Sequence, residues 1–278
     1  MEGIKVQKQY GSSNFVRNSI LLGIAVGVVL PVLPLFVWSF SHNWWFPSLW
    51  PTKYAMRAWD YVTSPASGVI NALKNSLIIS VAVTVLAVFI GVPAGRAFGL
   101  HDFKGKTFLQ FVILAPAIVP GLAVTMGIDV LFIKMGLSGT LGGVIFVHLL
   151  PTVPYMTIVM TGVFTNYNAA FEEQALSLGA DKRRTFLLVT LPSISPGIIT
   201  GGLFVFLISW SQYILTVLIG GGRVVTLPLL LFSFVQSGDN AVTAALSIIF
   251  LLPAILILLV SSKYLSGESG GMGGFGNI

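Results

Sequence analysis

The sequence has no cysteine and little charge. Only 9% of its 278 residues are charged, and it contains three histidines. The absence of cysteine excludes disulfides and thiolate metal sites. His42, His101 and His148 lack metal-ligand spacing, and the serines in and around the fifth and sixth membrane helices have no local histidine from which a nucleophile could be argued. We therefore predict no catalytic residues and no metal ligands.

The apolar content places the chain in a lipid bilayer. With 55% hydrophobic residues and a mean hydropathy of +0.91, it has too few polar side chains to cover a soluble globule of this size. The apolar runs are continuous and lack the alternation of a membrane barrel. Because a bilayer core needs roughly 20 apolar residues per helix, we predict an all-α integral membrane protein with six transmembrane helices. The runs cover residues 19–40, 76–97, 107–133, 142–164, 197–220 and 241–262.

The basic residues predict the orientation of these six helices. Most of them fall on one side: Lys5, Lys8, Arg17, Arg96, Lys104, Lys106, Lys182, Arg183, Arg184 and Lys263. Since cytoplasmic loops are rich in Lys and Arg, both termini should be cytoplasmic. The predicted organisation is a cytoplasmic segment at 1–18, a six-helix domain at 19–264 with a cytoplasmic loop at 165–193, and a flexible Gly-rich tail at 265–278. This asymmetry accounts for the net charge of +6 and implies lipid, and no nucleic acid, as a partner.

The loop has the sequence pattern of a short helix. Asn168 is a candidate N-cap, and Glu172 and Glu173 lie near the positive end of the helix. Gly179 should end it. One face is apolar at i, i+4 and i+7 spacing: Phe171, Ala175 and Leu178.

A second short helix should follow in the same loop. Asp181 can cap it, and it should run through Thr190. Pro192 and Pro196 should prevent its direct continuation into the fifth membrane helix. The predicted arrangement is helix, turn, helix, parallel to the membrane.

This loop resembles the EAA loop of the membrane subunits of binding-protein-dependent ABC importers. The resemblance extends through Leu191-Pro192, and it departs from the family at Gln174, where alanine is common. It implies that the first short helix docks on an ATP-hydrolysing subunit, with the glutamates meeting basic residues there. The coupling positions are Glu172, Glu173, Ala175, Leu178, Gly179 and Ala180. The alternative is an ordinary surface helix-turn-helix with a solvated charged face.

The resemblance also implies a set of partners for an inner-membrane permease core. These are a dimer of ATP-binding subunits, a second homologous permease subunit and an extracytoplasmic substrate-binding protein. ATP and Mg²⁺ would bind to the partner ATPase, so this chain would hold no cofactor and would not be an enzyme. The sequence leaves open whether the permease pair is a homodimer or a heterodimer.

A second motif suggests ATP binding and must be excluded. The segment from Gly99 to Thr107 ends in G-K-T, but five residues separate its glycines where a phosphate-binding loop has four. It also joins two membrane helices and follows no strand, so nothing would scaffold the phosphate-binding amides. We interpret it as a basic cytoplasmic turn.

Polar groups at membrane depth are candidates for a translocation path. The fifth helix lines this path in the family, and Ser209, Gln212 and Tyr213 would share one helical face. The alternative is that they hydrogen-bond to neighbouring helices. For Asp129 a snorkelling or capping role is favoured over ion coupling, and for His148 a helix-packing role over substrate contact. Gly91 and Gly95 form G-x-x-x-G, which indicates close helix packing within this chain or against a partner.

The type of solute is a weaker inference. Leu178-Gly179-Ala180 and Thr226-Leu227-Pro228 look closer to permeases of the polyamine, phosphonate and iron group than to sugar permeases. We expect a polyamine or a similar small organic solute, with a sugar or glycerol-phosphate importer as the alternative. An ion-coupled secondary transporter would need inverted repeats and carboxylates at membrane depth, and a membrane scaffold would not explain the loop.

Overall fold

The computed structural model describes residues 11–42, 44, 47–118 and 121–271, and almost all of its regular structure is helical. Within these ranges the extended structure is limited to an isolated bridge between Ser41 and Tyr54. The α-helices are α1 Gly11–Val29, α2 Leu33–Ser39, α3 Arg57–Thr63, α4 Val69–Leu100, α5 Lys106–Ile118, α6 Gly121–Lys134, α7 Leu141–Thr165, α8 Ala170–Ser177, α9 Lys182–Thr185, α10 Leu191–Trp210, α11 Ile214–Gly220, α12 Leu227–Ser237 and α13 Asn240–Gly271.

Four helical segments of the described chain are long and apolar enough to cross a membrane. They are Val69–Leu100, Leu141–Thr165, Lys182–Trp210 and Asn240–Ile257. The first predicted run is divided between α1 and α2 by a turn at 30–32 that contains Pro31, which has no N–H to continue a helix. The third predicted run is divided between α5 and α6. The all-α membrane class is confirmed, while the six-span count and the location of the termini stay predictions.

The ends of the chain extend the helical part beyond the predicted domain. The α1 helix begins at Gly11, inside the segment predicted at 1–18, and α13 reaches Gly271, inside the tail predicted at 265–278. Residues 1–10 and 272–278 lie outside the described residues.

The central contact of the bundle is a close approach of α4 to α7. A Cβ added at Gly91 would lie 2.6 Å from Cγ of Met156, and one added at Gly99 would lie 2.6 Å from Cβ of Phe164. Between them, Gly95 faces the backbone of Met160. The three glycines repeat at i, i+4 and i+8, so they form one face of α4. The G-x-x-x-G pattern therefore serves packing within this chain.

A second buried cluster joins α10 to α13 and lies around Trp210. The Trp210 indole stacks on Phe206 at 5.8 Å and on Phe250 at 5.7 Å between ring centroids. Its Nε1 donates a hydrogen bond to the Phe250 carbonyl at 3.1 Å. This bond satisfies the polar atom of a side chain that is otherwise surrounded by apolar groups.

The start of α4 lies against the start of α12. The Asn75 side chain donates to the Val225 carbonyl at 2.9 Å, and the Ser76 hydroxyl accepts from the Leu227 N–H at 2.8 Å. These bonds join the start of α4 to the start of α12, and the Ser76 bond satisfies the Leu227 N–H, which has no partner inside its own helix.

The α4–α7 packing gives a direct test with Gly95→Ala. The added methyl would lie 2.8 Å from the Met160 carbonyl carbon and 2.9 Å from the Thr161 nitrogen, and these backbone atoms cannot rotate away. We expect a loss of unfolding free energy of about 1–3 kcal/mol, as for overpacked cores. Unfolding in mixed micelles would measure it.

The matched control is Gly162→Ala on α7, where nothing lies within 4 Å of the added Cβ. That variant should be neutral or slightly more stable, since alanine favours helices. Equal stability of the two variants would contradict the packing argument.

Candidate functional site

The loop predicted at 165–193 begins with α8, whose C-terminus is closed by a specific capping motif. The Ala180 N–H donates to the Ala175 carbonyl and the Gly179 N–H to the Leu176 carbonyl, both at 3.0 Å. Gly179 has φ +89°, a conformation that glycine adopts without steric cost. Nothing in the described chain lies within 4 Å of a Cβ added there. The positive φ of the backbone therefore explains why a glycine stands at 179, and crowding by the described residues does not.

The N-terminus of α8 matches the predicted charge pattern. The N-cap position is Ala169, one residue after the predicted Asn168, and it makes no side-chain capping bond. The Asn168 side-chain oxygen instead accepts a hydrogen bond from the N–H of Ala170, the first residue of α8, at 3.0 Å. Glu172 and Glu173 lie in the first turn, where the helix dipole favours negative charge.

The second half of the loop differs from the prediction. Asp181 caps α9 by accepting from the Arg184 N–H at 2.7 Å, as expected. However, α9 passes through a π-helical turn, Phe186–Thr190, directly into α10. The predicted interruption at Pro192 and Pro196 is therefore wrong. Pro192 is the second residue of α10 and directly follows the π-helical turn.

The two adjacent glutamates have different surroundings. Both carboxylate oxygens of Glu172 accept from the Arg96 guanidinium, at 2.9 and 2.7 Å, and Oε1 also accepts from the Thr190 hydroxyl at 2.8 Å. Glu173 is exposed and forms no ion pair in the described part of the chain. Glu172 thus meets a basic residue of this chain, whereas Glu173 is exposed to solvent.

The Arg96 pair changes the ionisation of Glu172. The hydrogen bond from Arg96 lowers the pKa of Glu172 to about 2 from 4.5, against an opposing effect of burial, and Thr190 lowers it further. Because the folded-state pKa is depressed, the pair contributes its full stability above about pH 4.5. That contribution is lost as the pH falls towards 2.

Apolar side chains are exposed on the same loop. Leu178, at the C-terminus of α8, is 89% exposed. Other exposed apolar residues of the loop are Phe171, Leu176, Phe186, Leu187 and Leu188. Leu178 itself lies outside the four helical segments long enough to cross a membrane.

The structure corrects the predicted shared face on the fifth helix. Residues 211–213 interrupt the helix between α10 and α11, so Ser209, Gln212 and Tyr213 do not follow one helical repeat. Ser209 is buried, whereas Gln212 and Tyr213 are half-buried. The Tyr213 ring stacks on Phe232 with 4.2 Å between centroids.

His148 spans this interruption from α7. It is 1% exposed, with Nδ1 2.9 Å from the Ser209 hydroxyl and Nε2 3.0 Å from the Thr216 hydroxyl. The Thr216 hydroxyl donates its only proton to the Gln212 carbonyl at 3.0 Å. It must therefore accept from Nε2–H, which leaves Nδ1 to accept from Ser209. The predicted helix-packing role of His148 is confirmed, and Ser209 takes part in that packing.

Asp129 lies on α6, and its Oδ1 atom is buried with no hydrogen-bond partner among the described residues. This oxygen therefore forms no capping hydrogen bond within the described residues. The described residues contain no group of three or more His, Cys, Asp or Glu side chains that could hold a metal ion.

Two residues of the site were missed in the sequence, Arg96 and Thr190. Arg96 was counted as a cytoplasmic charge although it falls inside the predicted run 76–97. Because a cation within a membrane helix usually needs a partner, the position of Arg96 predicts a nearby carboxylate. Thr190 carries no comparable signal.

The chain is similar to known membrane transport proteins. The family model of the binding-protein-dependent transport system inner membrane component matches residues 87–266. The putrescine transport system permease protein PotI of Escherichia coli strain K12 is 27% identical over 248 residues and is covered over 84% of both chains. The spermidine/putrescine permease protein PotC of Shigella flexneri is 22% identical over 263 residues, covering 93% of this chain and 97% of PotC. The molybdenum transport system permease protein ModB of Mycobacterium bovis is 27% identical over 256 residues, covering 86% and 91%.

A solved structure shows the same fold. It is a bacterial ABC transporter involved in the import of the acidic polysaccharide alginate, with a TM-score of 0.68, 19% identity and coverage of 94% of this chain and 99% of that chain. The helical fold and the family match together define a membrane-embedded subunit of a transporter. The chain belongs to the family of binding-protein-dependent transport system inner membrane components. It is the permease subunit of an ABC importer in the inner membrane, and ATP hydrolysis belongs to a separate subunit.

The hydrogen-bond chain through His148 predicts the effect of His148→Phe. Phenylalanine fills the space but leaves the buried Ser209 hydroxyl without its acceptor and Thr216 without its donor. We expect unfolding free energy to fall by about 1–3 kcal/mol, measured by thermal or denaturant unfolding in detergent. The same change at His101, in an exposed loop, is the control and should have little effect. A His148→Phe protein as stable as the His101→Phe protein would exclude this network as a stabilising element.

Proposed function

We propose that α8 and the Gly179 turn form the surface that receives the ATP-hydrolysing subunit, and that this permease imports a polyamine or a similar small solute. The observation that carries the docking proposal is the exposed face of the loop. There Leu178 is almost fully solvent-exposed, and Glu173, in the first turn of the same helix, is exposed with no ion pair among the described residues. An apolar anchor and a free charge on one short element fit a groove with a basic rim on a partner protein.

The capping motif supports this proposal because it presents the surface in a fixed form. The two hydrogen bonds at Gly179 end α8 abruptly, and the turn places Leu178 outward. A preordered surface loses little conformational entropy on binding. Ala175 and Ala180 are small and half-buried, so they allow close approach beside Leu178.

The proposed assembly follows from the family. Two ATP-binding subunits would dock on this permease and a second homologous one, and an extracytoplasmic binding protein would deliver solute. ATP and Mg²⁺ would bind at the ATPase subunits. Their closure on ATP would move α8, and the attached helices would open the path outward. Hydrolysis would reset the cycle, which is alternating access driven by a separate chain.

The polyamine proposal rests on relatives. The names of PotI and PotC describe putrescine or spermidine transport, whereas the name of ModB, at 27% identity, describes molybdenum transport. A cavity of about 410 Å³ lies between α3 and the start of α13 and includes Trp44, Arg57 and Asp239. Arg57 and Asp239 form a bidentate ion pair there. The two charges compensate each other, so this cavity favours neither cations nor anions.

Docking on the ATPase predicts that Leu178→Asp will reduce copurification of the ATP-hydrolysing subunit at least about tenfold, since one charged group buried at a contact costs more than 1.4 kcal/mol. Affinity purification of the tagged permease with its coexpressed partners would measure this. The control is Leu49→Asp. This leucine is 86% exposed and lies in a loop on the opposite predicted side of the membrane. Retention of the ATPase by Leu178→Asp would reject the docking surface.

The solute class predicts the ligand of the cognate binding protein. Isothermal calorimetry of this binding protein with putrescine and spermidine should give a dissociation constant of about 1 μM or lower, which corresponds to a binding free energy of roughly −8 kcal/mol or more favourable. Glycerol phosphate, a neutral sugar and molybdate are the comparison ligands. Binding of any of these without polyamine binding would overturn the polyamine proposal and leave the docking proposal intact.

A further inference from the structure

The contact between Arg96 and Glu172 joins the loop to a membrane helix across 76 positions of the chain. The guanidinium meets both carboxylate oxygens at 2.9 and 2.7 Å, and Thr190 donates to one of them at 2.8 Å. A planar two-point contact restrains orientation as well as distance. A change in the position of α8 is therefore resisted in more than one direction.

The surroundings of the pair restrict water. The Glu172 side chain is 16% exposed and the Arg96 side chain 35%, while Thr190 is buried. The Arg96 guanidinium lies 5.7 Å from the ring centroid of Phe164, on α7. Partial exclusion of water strengthens such a pair compared with one at the surface. The contact connects α4, α7, α8 and the π-helical turn.

Apolar packing alone holds α8 weakly. None of its residues is buried, so hydrophobic contact contributes little to its attachment. Glu172 supplies the charged link from α8 to α4. The Arg96 guanidinium approaches it from α4, and the Thr190 hydroxyl approaches it from the π-helical turn. The inner end of α4 is in turn fixed to α7 by the close contact at Gly95.

We propose that Arg96, Glu172 and Thr190 form an internal clamp that transmits displacement of α8 to α4 and α7 during ATP-driven transport. The clamp positions α8 and touches neither solute nor ATPase. It rests on the proposed docking of α8 and separates the roles of the two glutamates. Glu173 faces the partner, and Glu172 carries the movement into the membrane helices.

The test uses the complete importer with its binding protein in proteoliposomes. Arg96→Gln and Glu172→Gln should still copurify the ATPase subunits and hydrolyse ATP. Solute imported per ATP hydrolysed should fall about tenfold, within the range of coupling free energies between sites. The exchanged pair, Arg96→Glu with Glu172→Arg, should recover most of the loss. Arg96→Lys, which keeps the charge without the two-point contact, should give an intermediate ratio.

Lys106→Gln is the matched control. It removes a cation paired with Asp102, whose side chain is 98% exposed, on the same predicted side of the membrane. Such a surface pair contributes little, and the ratio of import to hydrolysis should be unchanged.

The outcomes separate this proposal from the docking proposal. A normal ratio of import to hydrolysis in Arg96→Gln, or an exchanged pair no better than the single variants, would overturn the clamp. Loss of ATPase copurification in Arg96→Gln would assign the pair to docking and also overturn it. If Arg96→Gln fails to fold, a normal ratio in the milder Arg96→Lys would have the same consequence. Failure of the docking proposal itself appears separately, as retention of ATPase by Leu178→Asp.

Discussion

The close contact of α4 with α7 is the constraint on which the rest of this subunit depends. Gly91, Gly95 and Gly99 allow the two helices to meet almost backbone to backbone. In a bilayer, where lipid is as apolar as leucine, such close packing is a principal source of helix association. The same helix face determines where Arg96 emerges, and Phe164 contacts both Gly99 and the Arg96 guanidinium. Bundle packing and loop position thus share residues.

The interruption of the fifth helix shows how an irregular backbone is tolerated inside an apolar protein. Residues 211–213 leave the helical ladder, and Thr216 satisfies the Gln212 carbonyl that the interruption frees. His148 completes this arrangement because its two nitrogens reach both sides of the break. Membrane proteins accept such breaks where side chains replace the lost backbone bonds. The break is thereby held in one geometry.

The glutamate pair of the loop illustrates why neighbouring residues of one type need not share a role. On a helix, adjacent positions point about 100° apart. Glu172 therefore turns towards Arg96 and the buried Thr190, while Glu173 stays in solvent. The low pKa of Glu172 reflects that local pairing, and the outward surface is left to Glu173 and Leu178.

Composition and local pattern were sufficient for the all-α membrane class, the Asp181 cap and the Gly179 turn, and the resemblance of the loop was sufficient for the family. Each of these features depends on residues that are close together in the sequence or on the total apolar content, and both can be read directly from the sequence. The tertiary structure decided that α9 continues into α10, that the fifth helix breaks at 211–213 and that Arg96 pairs with Glu172. The pairing joins positions 76 residues apart, and its geometry depends on how far glycines let α4 approach α7. The separation of two residues along the sequence does not predict this approach, because the approach arises only when the helices pack.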